Sequence, residues 1–219
     1  MIAQSEKEKT MTARQWILSQ NKRNIASYSR LRLVIGTLGI LLPFLCVLGG
    51  FNSNGQLVQN SISHYYHTNM RDVLVSLLGC VSVLFITYSG YGIIDDVVTW
   101  VIGLAGAGVA IFPCPIYPQS EALVGVFQLT QSTSKTIHFI CAGTFFFCLA
   151  INSIFLFTLG NNAKKNRVYV GSGVVILASL AILLIVRIAA GPFFENSLIA
   201  LIFETIMLVA FGTSWLVKY

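Results

Sequence analysis

Long apolar segments separated by short polar ones make up the whole chain beyond residue 30. Six of these segments approach the length of about 20 residues that a helix needs to cross about 30 Å of hydrocarbon. They cover approximately residues 31–50, 70–88, 96–113, 137–159, 168–188 and 197–217. No loop between them is long enough to bury a core of its own. We therefore predict an all-α fold, a polytopic transmembrane six-helix bundle over residues 31–219, after a basic N-terminal arm over residues 1–30.

Composition favours a membrane protein over a nucleic-acid-binding one. Hydrophobic residues make up 55% of the 219 and charged residues only 10%, whereas soluble domains have about 25% charged residues. The net charge of +6 does not indicate a groove for phosphates, because the basic residues gather in the arm and in one short loop. We expect membrane lipids as partners and no nucleic acid.

The distribution of lysine and arginine predicts that both termini are cytoplasmic. The arm and the start of the first span carry Lys7, Lys9, Arg14, Lys22, Arg23, Arg30 and Arg32. With these residues inside, the loop at 160–167 (Lys164, Lys165 and Arg167) and the terminal Lys218 are inside as well. The opposite face has only Arg71, Lys135 and Arg187, each at a helix end. Basic residues concentrate on the cytoplasmic side of membrane proteins, so we expect a multi-pass protein of the cytoplasmic membrane.

The third span carries the clearest local signals. Its small residues are spaced so that a neighbouring helix can pack closely; they are Gly103, Gly106, Ala107, Gly108 and Ala110. The sequence Pro113-Cys114-Pro115 predicts its end, and Asp95-Asp96 place acids in its first turn, where the helix dipole favours them. In the fourth span, we expect Asn152 to make an interhelical hydrogen bond.

The five cysteines show no CxxC pair and are scattered through apolar segments. Such cysteines usually behave as small apolar side chains. Cys114 and Cys141 fall near the same end of the predicted bundle, and their spacing does not decide whether they pair.

The densest polar and aromatic segment runs from Ser61 to Asp72, directly before the second span. It contains Ser63 and two of the three histidines, His64 and His67. The predicted topology places the third histidine, His138, in the same half of the membrane.

Glu204 is the acid that the pattern places deepest, seven residues beyond Ser197 and thus about 10 Å below the helix start. A carboxylate at this depth costs several kcal/mol unless it is protonated, paired or hydrated. Arg187, His138 and the segment from His64 to Asp72 are its candidate partners.

Three interpretations of these groups remain open. In the first, Glu204 and Arg187 form a buried pair that fixes helix packing. In the second, polar side chains line an outward-open cavity for a lipid headgroup or a small solute; these are Ser63, His64, His67, Asp72, His138, Arg187 and Glu204. In the third, His64, His67 and His138 bind zinc together with a carboxylate or a water. No residue is assigned as catalytic, and enzymatic activity stays open.

Several segments resemble a family of small bacterial polytopic membrane proteins of unknown function. The resemblance covers nearly the whole chain beyond the arm and lies in Ser61–Val73, Ile111-Phe112-Pro113, Ile137-His138-Phe139, Phe203-Glu204 and Ala210–Lys218. It implies a bacterial inner-membrane protein and brings no established activity.

A remoter similarity is to the CREST membrane hydrolases, which include the alkaline ceramidases. That family has Ser, His and Asp near one end of an early helix and an HxxxH pair in its last helix, around zinc. Ser63, His64 and Asp72 match the first part, whereas the sixth span has no HxxxH and the chain has six predicted helices in place of seven. This resemblance implies a zinc-dependent hydrolase of a lipid amide or ester as an alternative function.

The lysine and arginine distribution makes a direct prediction about topology. Reporter fusions after Tyr219 and within residues 160–167 should give a cytoplasmic signal, because basic flanks stay inside. Fusions near Gln59 and Gln131 should give an external signal. A cytoplasmic signal at Gln59 would overturn both the orientation and the number of crossings.

Overall fold

A computed structural model describes residues 13–51, 54–90, 92–115 and 122–219. It contains six long helices: α1 Ala13–Gly49, α2 Arg71–Thr87, α3 Ile93–Ile111, α4 Gln131–Ile151, α5 Ala163–Ala190 and α6 Ile199–Lys218. A π-helical segment, Asn152–Leu156, and a 3₁₀ turn, Phe157–Leu159, continue α4. A 3₁₀ turn, Ser63–His67, precedes α2, and one helical turn, Pro192–Glu195, precedes α6. The described residues contain no strand beyond one isolated bridge, so the predicted all-α class is confirmed.

Five of the helices are long and apolar enough to cross a membrane, which fits a multi-pass membrane protein. They are Ser27–Gly49 within α1, Ile93–Ile111, Gln131–Leu159, Ala163–Ala190 and Ile199–Lys218. The second predicted span is also helical, but α2 has only 17 residues. At 1.5 Å per residue it is about 25 Å long, less than the hydrocarbon thickness of about 30 Å. Its crossing therefore stays a prediction.

The helices extend beyond several of the predicted boundaries. The boundary at residue 30 does not correspond to a break, because α1 is continuous from Ala13 through Pro43 to Gly49. Residues 1–12 of the predicted arm lie outside the described part of the chain. The helix α4 begins about two turns before residue 137, and α5 about one turn before residue 168.

Capping residues explain the early starts of α4 and α5. The Thr130 side chain accepts a hydrogen bond from the Thr133 amide, 3.3 Å away. The Asn162 side chain accepts hydrogen bonds from the Lys164 and Lys165 amides, both at 3.1 Å. Polar caps of this kind satisfy the first free N–H groups of a helix, so the helix starts where the cap lies and not where the apolar run begins.

The core is an aromatic cluster centred on α6. Trp215 is 1% exposed and makes edge-to-face contacts with Phe85 and Phe157, with ring centroids 5.0 and 5.1 Å apart. The ring centroid of Phe211, one turn earlier, lies 5.9 Å from that of Phe85. Aromatic pairs in this geometry contribute about 0.5–1.5 kcal/mol beyond the area that they bury. Side chains of α2, α6 and the segment after α4 are thereby joined in one core.

The predicted close approach of small residues on α3 is confirmed. A Cβ at Gly103 would lie 2.7 Å from the Ser82 carbonyl oxygen of α2, and a Cβ at Gly108 would overlap the Cys141 side chain of α4. A second close crossing joins α1 to α6, where a Cβ at Gly212 would lie 2.6 Å from the Gly36 carbonyl oxygen. A larger side chain at Gly103 or Gly212 would push two backbones apart, and at Gly108 it would displace the Cys141 side chain.

Asn152 differs from its prediction. It is fully buried in the π-helical segment, and within the described residues neither its amide nitrogen nor its amide oxygen has a hydrogen-bond partner. The predicted interhelical hydrogen bond is therefore wrong for this structure. A sequence position alone cannot show this, because the π-helical segment changes which face of the helix carries Asn152.

The glycine crossing predicts a difference between two substitutions. Gly212→Ala should destabilise the protein by roughly 1–3 kcal/mol, the usual cost of overpacking, because the new methyl group meets backbone that cannot move aside. Gly171→Ala is the matched control, since a Cβ at this position in α5 has no atom within 4 Å. Thermal unfolding in detergent measures both variants. Equal melting temperatures for the two variants would contradict the packing described here.

Candidate functional site

A cavity of about 630 Å³ lies between α4, α5, α6 and the polar connection, the name used here for residues 54–70. Its walls are mostly apolar. The residues that line it include Asn60, Ser61, Ser63, His64, Phe139, Gly143, Phe147, Leu180, Arg187, Glu195, Glu204 and Met207. Sites for small molecules commonly have volumes of about 300–1,000 Å³. The cavity is therefore large enough to hold a ligand.

The charged groups of this cavity lie toward one end, beside the rings of Phe139 and Phe194, and the lining toward the other end is mainly apolar. On α5 the charged Arg187 lies near the helix end, whereas Leu180 lies two turns further inside. On α6, Glu204 likewise precedes Met207. The polar connection closes the end at which Arg187 and Glu204 lie. The cavity thus has one polar end and one apolar end, as an amphiphilic ligand would require.

Backbone hydrogen bonds fix the polar connection to the start of α6. The Asn60 carbonyl accepts a hydrogen bond from the Leu201 amide at 3.0 Å, and the Asn60 side-chain amide donates to the Glu195 carbonyl at 2.7 Å. The Ile62 amide donates to Glu204 Oε2 at 2.7 Å. Glu204 thus holds the first residues of the 3₁₀ turn in place.

The buried Tyr65 and the exposed Asn69 anchor the rest of the polar connection. Tyr65 is fully buried, and its hydroxyl donates to the Leu57 carbonyl at 3.2 Å. The Asn69 side chain accepts from the Phe51 amide at 2.7 Å and donates to the Gly49 carbonyl at 2.9 Å. These contacts tie the connection to the end of α1, so the serines and histidines between them have defined positions.

The end of α3 supplies the partners of the histidines. The last carbonyls of a helix lack partners within the helix, and Pro113 and Pro115 prevent it from continuing. The carbonyls of Phe112, Pro113 and Cys114 accept hydrogen bonds from His138 Nδ1, Ser134 Oγ and His67 Nε2, at 2.7, 2.8 and 2.8 Å respectively. The polar side chains of α4 and of the 3₁₀ turn thus satisfy carbonyls that would otherwise be costly to bury.

The contacts with carbonyls decide where the histidine protons lie. A carbonyl oxygen only accepts, so His138 carries a proton on Nδ1 and His67 carries one on Nε2. In neutral His138, Nε2 is therefore an acceptor, and the Ser63 hydroxyl donates to it at 3.1 Å. His64 is also part of this group, with its Nδ1 2.7 Å from Ser61 Oγ.

Burial keeps the imidazoles of the polar connection neutral. It lowers the pKa of His64 from 6.5 to about 4, and positive charge on His67 or His138 would lower this pKa further. Burial also lowers the pKa of His67. Burial raises the pKa of the Cys114 thiol, which stays protonated and donates to the Ser63 carbonyl at 3.0 Å. All three groups therefore act at neutral pH as uncharged hydrogen-bonding groups.

The first interpretation, a pair between Glu204 and Arg187, does not agree with the structure. Arg187 Nη2 lies 4.0 Å from Glu195 Oε1, and its guanidinium lies 4.2 Å from the centroid of the Phe139 ring. No ion pair in the described part of the chain joins Arg187 to Glu204. The reason is local: Glu195 follows Arg187 in the turn before α6, whereas the Glu204 carboxylate faces the amides of the 3₁₀ turn.

The cavity brings together only some of the predicted site residues. Ser63, His64, Arg187 and Glu204 line it. His138 lies behind Ser63 and lines a smaller adjoining space that Ser63 also borders. His67 contacts the end of α3, and Asp72 is exposed in the first turn of α2; neither lines the cavity.

Sequence reasoning missed Asn60, Glu195 and Gly143. Asn60 lies immediately before the polar segment, and its side chain could have been included on that ground. Glu195 lies between the fifth and sixth predicted spans, and its distance of eight residues from Arg187 puts the two at adjacent helix ends. Gly143 gave no signal, because one glycine in an apolar helix does not indicate a cavity.

The donor groups do not fit a zinc ion. The described residues contain no group of three or more His, Cys, Asp or Glu side chains placed to hold a metal. Both ring nitrogens of His138 and the Nε2 atom of His67 already have partners in the protein. The five cysteines are free thiols, so Cys114 and Cys141 do not pair here.

The change of partner for Arg187 alters what a double-mutant cycle should show. The coupling energy between positions 187 and 204 should be near zero, because no contact joins the two side chains. The cycle between positions 187 and 195 is the matched control and should give about 0.2–1 kcal/mol, as for partly exposed ion pairs. Thermal stability in detergent measures both cycles. A large coupling at 187 and 204 would restore the predicted pair and remove the arrangement described here.

Comparison with protein-family models, with curated proteins and with solved structures finds no match to this chain. The two resemblances drawn from the sequence therefore stay proposals. The geometry of the cavity carries the functional argument.

Proposed function

We propose that this protein binds an amphiphile, a membrane lipid or a small solute with a polar head, in the cavity beside the polar connection. The observation that carries the proposal is the position of the charged groups toward one end of a cavity whose walls are otherwise mostly apolar. A purely structural polar cluster would have no need for about 630 Å³ of space beside it.

The polar end suits a headgroup with both acceptors and donors. Arg187 offers N–H donors and a positive charge, partly offset by Glu195. Ser61, Ser63 and neutral His64 provide groups that accept or donate hydrogen bonds. A phosphate or carboxylate oxygen beside Arg187 would gain a charge-assisted hydrogen bond.

The apolar end suits one hydrocarbon chain. From Arg187 to Leu180 the cavity wall follows about 10 Å of helix, and from Phe139 to Phe147 about 12 Å. Burying a chain gains about 0.8 kcal/mol per CH₂ group when the chain comes from water. The gain is smaller when it comes from the bilayer, so the polar end must supply most of the selectivity.

We propose further that α2 is a sixth crossing and that both termini lie in the cytoplasm. The lysine and arginine distribution supports this topology. The cavity then opens toward the external side of a bacterial cytoplasmic membrane, as the resemblance to small bacterial polytopic proteins implies. Zinc-dependent hydrolysis has no matching donor group in the described residues, so binding is the function proposed here.

Filling the cavity tests the proposal. Gly143 lines the cavity, and a Cβ built there has no atom within 4 Å, so Gly143→Phe should occupy the space without displacing backbone. We expect at least a tenfold loss of lysophosphatidylglycerol binding, measured by native mass spectrometry in detergent. Gly171→Phe is the matched control, because Gly171 has the same free space and does not line the cavity. Binding by Gly143→Phe at the level of the control would refute the proposed site.

A further inference from the structure

Ser63 and His138 form a contact between two distant parts of the chain, 75 residues apart. Ser63 Oγ lies 3.1 Å from His138 Nε2, and His138 Nδ1 lies 2.7 Å from the Phe112 carbonyl oxygen. The imidazole is therefore held between an oxygen that fixes its tautomer and a hydroxyl that faces its free lone pair. This is the order of groups in a serine nucleophile with a general base and a third group that orients the base.

The position of the base is fixed by burial, by its helix and by a backbone carbonyl. His138 is 3% exposed and lies on α4, a regular helix of 21 residues. Its Nδ1 proton satisfies the Phe112 carbonyl at the end of α3. When Nε2 receives a proton, the same carbonyl stabilises the imidazolium that forms, in the place where serine hydrolases use a carboxylate.

A second serine–histidine contact in the same segment has a simpler explanation. Ser61 Oγ lies 2.7 Å from His64 Nδ1, but it also accepts a hydrogen bond from the His64 backbone amide at 3.1 Å. A serine that bonds to the residue three positions on is a common local turn motif. The contact between Ser63 and His138 has no such local origin, and it is therefore the one that points to chemistry.

The hydroxyl of this pair is also the accessible part. Ser63 is partly exposed and lines the large cavity, whereas His138 lines only the small space of about 50 Å³ behind it. A ligand in the cavity would therefore meet the nucleophile first, with the base shielded from it. The position of Ser63 at the polar end would place the head of an amphiphile, and not its chain, beside the hydroxyl.

We propose that Ser63 and His138 carry out acyl transfer to water from a carboxylic ester of an amphiphile bound in this cavity. The proposal rests on the proposed function, because the cavity must hold the ester. Ser63 Oγ attacks the carbonyl carbon while its proton passes to His138 Nε2. The bond from that carbon to the alcohol oxygen breaks, and His138 gives the proton to the leaving alcohol. Water then attacks the acyl-serine through the same base, which releases a carboxylic acid and restores Ser63.

An active-site-directed probe tests this pair in the full-length chain in detergent. A long-chain alkyl fluorophosphonate should form an adduct that tandem mass spectrometry localises to Ser63. Ser63→Ala should abolish the adduct, and Ser132→Ala, at an exposed serine in the first turn of α4, should label like the parent.

His138→Asn separates catalysis from folding, because its amide can still donate to the Phe112 carbonyl while the base is lost. Labelling should become at least 100-fold slower, since a general base contributes about 10²–10⁴-fold. Hydrolysis of p-nitrophenyl decanoate should fall in parallel. Melting temperature identifies a variant that fails to fold.

The possible outcomes distinguish this inference from the proposed function. An adduct on Ser61, no adduct at all, or parent-rate labelling of His138→Asn would each overturn the pair. If lysophosphatidylglycerol still binds to the parent in those cases, the cavity proposal stands alone. If the parent does not bind this lipid, the cavity proposal fails, and the acyl transfer that rests on it fails as well.

Discussion

Backbone carbonyls in apolar surroundings need donors, and the end of α3 is where this requirement shapes the protein most. Proline at 113 and 115 stops the helix, so the carbonyls of residues 112–114 are not paired within a continuing helix. His138, His67 and Ser134 supply the donors from two other elements. A three-way junction of α3, α4 and the polar connection follows from a local break in one helix.

The same requirement gives the histidines defined tautomers and leaves one hydroxyl facing a free ring nitrogen. Burial keeps the imidazoles of the polar connection uncharged, so they do not repel one another. Glu204 has a related role at the start of the 3₁₀ turn, where its carboxylate accepts a hydrogen bond from the Ile62 amide. The polar groups are thus mutually satisfied, and the adjoining cavity provides the room for a ligand.

The sequence predicted the parts of the fold that depend on a repeating physical requirement. Apolar runs of membrane length located the helices, and the small residues around Gly103 located a close crossing. Pairings between distant residues were not accessible in this way. Arg187 was one candidate partner of Glu204 because both are charged groups in one half of the membrane, whereas the turn before α6 brings Glu195 closer to Arg187. His138 drew attention as a metal ligand, since a sequence does not show that helix α3 leaves a carbonyl beside it.

The hydrogen bond between Ile62 and Glu204 joins residues 142 positions apart, and it has a consequence for the order of events during synthesis. The polar connection is made before α6, which carries its partner. At about 5–20 residues per second, the 142 positions between the two residues correspond to a delay of roughly 7 to 30 seconds. During that interval the amide that later donates a hydrogen bond to Glu204 needs water, a chaperone or another helix as a temporary partner. The site is therefore completed only after α6 has been made.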